Sequence, residues 1–114
     1  GEDFVVTRGL DGCLSVYAND EWTALEEKLH ALPYTNPAAR KLTRFLVAGA
    51  ATCEVDKQGR ILLPAALREY AGIEKDAVLV GMGSRIEIWS REAWSAKNDF
   101  DDIEDIAEEL GGLL

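Results

Sequence analysis

The 114-residue chain has one histidine, two cysteines and one methionine, and its longest uninterrupted apolar run is FLVAGAA at residues 45–51. Each scarcity closes off a class of protein. A run of this length is far short of the ~20 residues a helix needs to cross a bilayer. His30 is alone in a leucine-patterned stretch, so neither a histidine–cysteine dyad nor a metal cluster has a basis, and no cofactor is expected. It reads as a helix-surface residue. Cys13 and Cys53 sit in separate strand-like runs with no close-spaced partner. That pattern fits buried free thiols in a cytoplasmic protein better than a disulfide framework.

What is present is a globular composition, 47% apolar, at a length that suits one modest domain. The net charge of −9 argues at first against nucleic acid as a partner. Its distribution reverses that reading. Residues 92–114 hold eight acidic residues and one basic one, a net −7, which leaves only −2 on the first 91. Between Arg40 and Arg68, six basic residues (Arg40, Lys41, Arg44, Lys57, Arg60, Arg68) face only Glu54 and Asp56, a net +4. A locally basic body carries an acidic tail.

The chain repeats itself. FVVTRGLDGCLSVYANDEW (4–22) and AVLVGMGSRIEIWSREAW (77–94) share one plan at an offset of 72 or 73 residues. An apolar strand (Val5–Thr7, Val78–Val80) leads to a turn with two glycines (Gly9 and Gly12, Gly81 and Gly83). A second strand ends on Tyr17 or Trp89, and Trp22 or Trp94 follows five residues later in a helix. This is an internal repeat. Core or subunit packing is the expected role of these aromatics, because a base-stacking platform needs them exposed beside the basic residues. Between the copies, Trp22, Leu25, Leu29 and Leu32 mark one face of a helix with Asn19 or Asp20 as its cap. PYTNP breaks the chain, Asn36 caps the next helix and Pro37 begins it, with Leu42, Phe45 and Leu46 inward. An antiparallel helical pair is expected.

One stretch is not duplicated. CEVDKQGRILLPAALREYAGI (53–73) reads as a strand, a charged turn at Asp56–Arg60, a short strand Ile61–Leu63, and a helix started by Pro64 and stopped by Gly72. Gly59 permits the sharp reversal, Lys57 and Gln58 are pushed to the tip, and Arg60 is placed where a guanidinium could reach a guanine edge or a phosphate. Taken alone, the turn is also a serviceable hairpin in which Asp56 pairs with Arg60 or holds the turn's amides. The first copy's equivalent stretch falls before residue 1, so the chain is expected to lack roughly 30 N-terminal residues of the repeated design. A bare two-stranded hairpin is marginal in water, so the first hairpin is expected to present apolar edges that neighbouring chains or an N-terminal fragment cover.

The Asp-x-x-Gly-Arg turn, the apolar triplet, Pro64 and the short helix resemble the AbrB-like swapped-hairpin transcription factors. The duplicated layout and the helical-pair pattern NPAARKLTRFLVAGA (36–50) narrow this to a resemblance to the MraZ family over residues 3–96. The resemblance implies an α+β fold, a swapped-hairpin (double-split) β-barrel of two pseudo-repeated units joined by a helical pair, with the first unit incomplete. Residues 1–18 would be the remnant hairpin of the first unit, 19–51 the helical pair, 52–96 the second unit and 97–114 an acidic amphipathic tail. It implies a cytoplasmic, nucleoid-associated regulator that binds double-stranded promoter DNA of bacterial division and cell-wall genes and forms a ring-like homo-oligomer. Lys57, Gln58 and Arg60 would face DNA, with Asp56, Gly59 and Pro64 shaping the motif. Gln58 stands where the first unit's motif generally has a lysine, so it brings hydrogen bonding without charge.

The rival is an antitoxin-type interaction module of the same fold. In the tail, Phe100, Ile103, Ile106 and Leu110 recur at spacings of 3, 3 and 4, an amphipathic pattern suited to docking. The tail's carboxylates lack the spacing and central glycine of a calcium loop, so no metal is expected there. Antitoxins of this type generally carry one unit, whereas this chain repeats.

Overall fold

The computed structural model describes residues 3–114. Its five strands form one antiparallel sheet: β1 (Asp3–Arg8), β2 (Leu14–Ala18), β3 (Ala51–Glu54), β4 (Ala77–Gly81) and β5 (Ile86–Ser90), in the order β3-β1-β2-β5-β4. Five helices accompany them: α1 (Asn19–His30), α2 (Pro37–Ala48), α3 (Ala65–Ala71), α4 (Arg91–Lys97) and α5 (Ile103–Glu109). The class is α+β.

The repeat seen in the sequence is also a repeat of geometry. β1–β2 and β4–β5 are both antiparallel hairpins, with Val6 opposite Val16 in one and Leu79 opposite Ile88 in the other. Each second strand runs straight into a helix. The joint at Ala18 has φ −65 and ψ 157, and its counterpart Ser90 has φ −65 and ψ 152. The aromatic pairs match as well: Tyr17 and Trp22 have ring centroids 5.8 Å apart, as do Trp89 and Trp94. β2 and β5 pair with each other, Leu14 opposite Ile88, Ser15 opposite Glu87 and Val16 opposite Ile86. At the 72-residue offset Leu14 corresponds to Ile86 and Val16 to Ile88. The pairing is therefore symmetric in the repeat, about the Ser15–Glu87 pair.

Only one of the two hairpins is covered. β1 is paired on both sides, by β2 and β3. The core joins Val6, Leu14 and Val16 of the first hairpin to Cys53, Leu67, Ala71 and Ile88, so α3 packs on the first hairpin. The 53–73 stretch thus supplies the cover that the sequence reading left wanting at residues 4–17. The bare surface lies on the second hairpin instead. Val6 and Leu14 are 0% exposed, whereas their counterparts Leu79 and Ile86 are 66% and 43% exposed, and β4 is a sheet edge.

The helical pair is held by its C-terminal end. A helix leaves its last carbonyls unsatisfied. Here Arg8 Nε donates to Phe45 O at 3.0 Å and Thr7 Oγ1 donates to Leu46 O, both from β1. The Arg8 guanidinium lies 4.7 Å from the centroid of the Phe45 ring, at the helix end where a cation is favoured. Gly49 makes this approach possible, because a Cβ there would stand 2.5 Å from Arg8 Nε.

Several local expectations change. Asn36 caps α2 through Ala38 and Ala39 N–H with Pro37 first in the helix, as its sequence predicts. α1 begins at Asn19 itself, with Ala18 at the cap position and no side-chain cap, because the strand enters the helix without a loop. Leu42 is 38% exposed rather than inward; only Phe45 and Leu46 of the expected trio are half-buried. Cys13 and Cys53 are buried free thiols. Burial is the main force raising both thiols' pKa values, that of Cys13 to about 11. His30 lies exposed on α1.

Candidate nucleic-acid interface

β3 delivers the chain into the turn, and a single antiparallel bridge between Val55 and Ile61 closes it. The backbone reverses through Asp56 N–H to Arg60 O at 2.8 Å and Gly59 N–H to Asp56 O at 3.0 Å. Gly59 has φ +79, a left-handed angle that a Cβ resists. The Asp56 carboxylate organises the rest. Its Oδ1 accepts from Gln58 N–H and Arg60 N–H, each at 2.9 Å, and its Oδ2 accepts from Arg60 Nε at 3.0 Å. These bonds favour the ionised form, first of all the one from the Arg60 amide, and hold the carboxyl below its ordinary 3.8. Both plain readings of Asp56 hold together: it pairs with Arg60 and it ties down the turn.

The consequence for Arg60 is geometric. Its Nε is engaged, yet its side chain is 73% exposed, so the guanidinium is fixed at its root and its two terminal nitrogens face solvent. Lys57 and Gln58 are exposed on the same tip. An ion pair this exposed contributes little to stability; its effect is to orient a fork of donors. A fork on a rigid turn, with an ammonium and an amide beside it, is suited to anions and to the acceptor edge of a base.

The return from the turn differs from the expected strand. Ile61–Leu63 makes the one bridge at Ile61 and no further ladder, and Pro64, which has no N–H to offer one, takes the cap position of α3 with φ −57 and ψ 146. Ile61 and Leu63 pack against the core, while Leu62 stands 87% exposed beside the turn. Arg68 Nε donates back to Leu63 O at 3.2 Å and steadies this link. Gly72, at φ +69, ends α3 as expected.

One positioning residue has no signal in the sequence. The Tyr70 hydroxyl donates to Gly9 O at 2.7 Å, 61 residues away, and its ring meets Phe45 edge-on with centroids 5.9 Å apart. Tyr70 thereby ties α3 to both the first hairpin's turn and α2. Burial, its main perturbation, raises the phenol's pKa. Among the described residues no group of histidine, cysteine or carboxylate side chains could hold a metal ion.

The family model described as "MraZ protein, putative antitoxin-like" matches residues 1–45 and 46–109. A protein named transcriptional regulator MraZ from Heliobacterium modesticaldum is 59% identical over 112 residues, covering 96% of this chain and 78% of that protein. Its namesake from Caldanaerobacter subterraneus is 56% identical with the same coverage. The one from Desulfitobacterium hafniense is 64% identical over 95 residues, covering 83% of this chain and 66% of that protein.

Proposed function

The chain belongs to the MraZ family, and from that premise we propose that it is a DNA-binding transcriptional regulator, not an enzyme, which contacts double-stranded DNA through the 56–60 turn. The relatives' shared name supports the regulatory role. The single observation that carries the interface is the Asp56 brace, which leaves the terminal nitrogens of Arg60 free on an exposed, glycine-formed tip. Arg60 is the central contact, Lys57 a phosphate contact and Gln58 a neutral hydrogen-bonding neighbour. Asp56, Gly59 and Pro64 shape the turn. Promoters of division and cell-wall genes in the bacterial cytoplasm, at the nucleoid, are the targets that the family resemblance implies. Among the described residues no helix is long and apolar enough to cross a membrane.

The finer fold belongs to the same reading. A second strand–turn–helix unit, seated on β4–β5 as residues 51–73 are seated on β1–β2, would complete a swapped-hairpin barrel. The exposure of Leu79 and Ile86, where Val6 and Leu14 are sealed, supports it. Self-association into a ring-like homo-oligomer is proposed with it, because a bare sheet edge and half-covered helices are surfaces that an assembly buries.

The test is selection from a randomised duplex pool, followed by titration of the enriched sequence at several salt concentrations. The proposal expects a repeated element to be enriched, with affinity falling steeply as salt rises. A pool that stays random, with no binding to duplex at low salt, would overturn it.

A further inference from the structure

We infer that the acidic C-terminal segment, Asp99–Leu110, docks through its apolar face into the α1–α2 groove of a second copy of this chain. The inference rests on the self-association proposed above and names the surfaces that make it.

Both surfaces are open to solvent, and the charged residues beside them are of opposite sign. α2 is a twelve-residue helix with no buried residue; it carries Arg40, Lys41 and Arg44 and no carboxylate. Most helical stability in proteins comes from packing an apolar face, and α2 has that packing along the side that meets β1 and α1 and at Phe45, which meets Tyr70 of α3. Between α1 and α2 lies an open groove of about 290 Å³ whose floor includes Leu29, Leu32, Pro33 and Tyr34, with Arg40 and Arg44 at its rim. Among the described residues lining it there is no carboxylate. Tyr34 is 84% exposed there.

The tail is the complement. Residues 99–110 hold seven acidic side chains and no basic one. Ile103, Ile106 and Leu110, on one face of α5 and its C-cap, are solvent-exposed, Phe100 precedes the helix, and α5 packs chiefly on the Gly111–Leu113 turn that continues it. At 1.5 Å per residue the row from Ile103 to Leu110 is about 10 Å long, against about 18 Å for each groove helix. The carboxylates flanking the row would then meet the rim arginines, which gives the contact its orientation.

Topology directs the tail to another copy. α1 leaves the C-terminal end of β2 and α4 leaves the C-terminal end of β5, and these two strands are antiparallel neighbours. α1 and the segment that leads to the acidic tail therefore leave the sheet at opposite ends. Phe100 stays beside Trp94, centroids 6.4 Å apart, which keeps the start of the tail against α4. A tail-to-groove contact between copies is head-to-tail, and such contacts close into rings or run on as filaments.

The experiment is sedimentation of the full chain and two variants, one with Arg40→Glu and Arg44→Glu, the other with Ile103→Asp and Ile106→Asp. The unaltered chain should self-associate, and each variant alone should associate at least about tenfold more weakly. Mixed in equal amounts, the variants should form a one-to-one pair that grows no further, because one supplies a sound tail and the other a sound groove. That recovery also shows that both variants are folded. A monomeric parent chain would remove the self-association reading itself. If the parent associates and the variants match it, if mixing restores nothing, or if a cross-linked tail is found on its own chain's groove, the assigned surfaces are wrong while self-association stands.

Discussion

Replacing Arg60 tests the interface with little collateral change. Its side chain is 73% exposed, and its one side-chain partner is Asp56 Oδ2, at 3.0 Å. Arg60→Ala therefore removes no core contact, and the melting temperature and circular dichroism should remain those of the parent. If the guanidinium reads a base edge, the loss in binding free energy is about 1–3 kcal/mol, roughly 5- to 150-fold in Kd, and discrimination at one base position relaxes. If it clamps a phosphate, affinity falls evenly across sequences and the slope of log affinity against log salt lessens by about 1. Arg60→Lys separates charge from geometry. Lysine keeps the cation, so the salt slope should hold. It has neither the donor that meets Asp56 nor the paired terminal nitrogens, so affinity should fall toward the alanine variant. The assay is fluorescence anisotropy on the selected duplex, at a matched association state because assembly multiplies contacts. Parental affinity of Arg60→Ala at every salt concentration would refute the interface, and parental affinity of Arg60→Lys would refute the oriented fork.

Three further perturbations follow from the geometry. Asp56 is held below its ordinary 3.8 in the folded chain, so the stability it lends is present above the ordinary carboxylate value and lost as pH falls through the depressed one; the parent's advantage over Asp56→Asn in thermal melts should hold at neutral pH and shrink only in acid, and melting curves that stay parallel across that range would sink this account. Gly49→Ala places a Cβ 2.5 Å from Arg8 Nε, so it should displace the Arg8–Phe45 contacts at a cost of about 1–3 kcal/mol and cost much less once Arg8 is already alanine; strict additivity in denaturant titrations would count against the clamp. Leu67→Ala empties a site only 4% exposed between α3 and β1 and should cost about 2–5 kcal/mol, with DNA binding weakened through a turn that is untouched in sequence.

What could be read from the sequence was what adjacent residues determine. The Asn36–Pro37 helix start, the Gly72 stop and the Asp56–Gly59 turn each depend on a few neighbours and a backbone angle, and each stands where the residues place it. The repeat was visible because strand, turn and aromatic recur in order. Partners were not. The spacing of Val6, Leu14 and Leu67 marks them as core, yet nothing in it says that α3 lies on the first hairpin rather than the second. Tyr70 and Gly9, or Arg8 and Phe45, meet only because the sheet folds them together. The same limit explains Ile61–Leu63. Its apolar run reads as a strand, but a strand needs a neighbour along its length, and here the chain leaves after one bridge to start α3.

The seating of the motif has a consequence for how the chain can be divided. Residues 52–96 hold the turn, α3 and the second hairpin, and by sequence they form one repeat unit. In the fold, β3 hydrogen-bonds to β1, Leu67 and Ala71 pack beside Val6, Leu14 and Val16, and Tyr70 bonds to Gly9. A fragment of residues 52–96 would leave α3 without its main surface, and β5 without its β2 neighbour. A seven-residue helix is too short to persist unpacked, and a lone hairpin is marginal in water. The isolated fragment should therefore lack stable structure by circular dichroism and amide exchange, and it should bind DNA no better than a scrambled peptide of the same composition. Adding a peptide of residues 1–20 in trans should restore part of the helical signal, because that peptide brings β1 and β2. A fragment that folds cooperatively alone would mean that α3 can pack on its own hairpin, and that its seat on the first hairpin is one of two available arrangements.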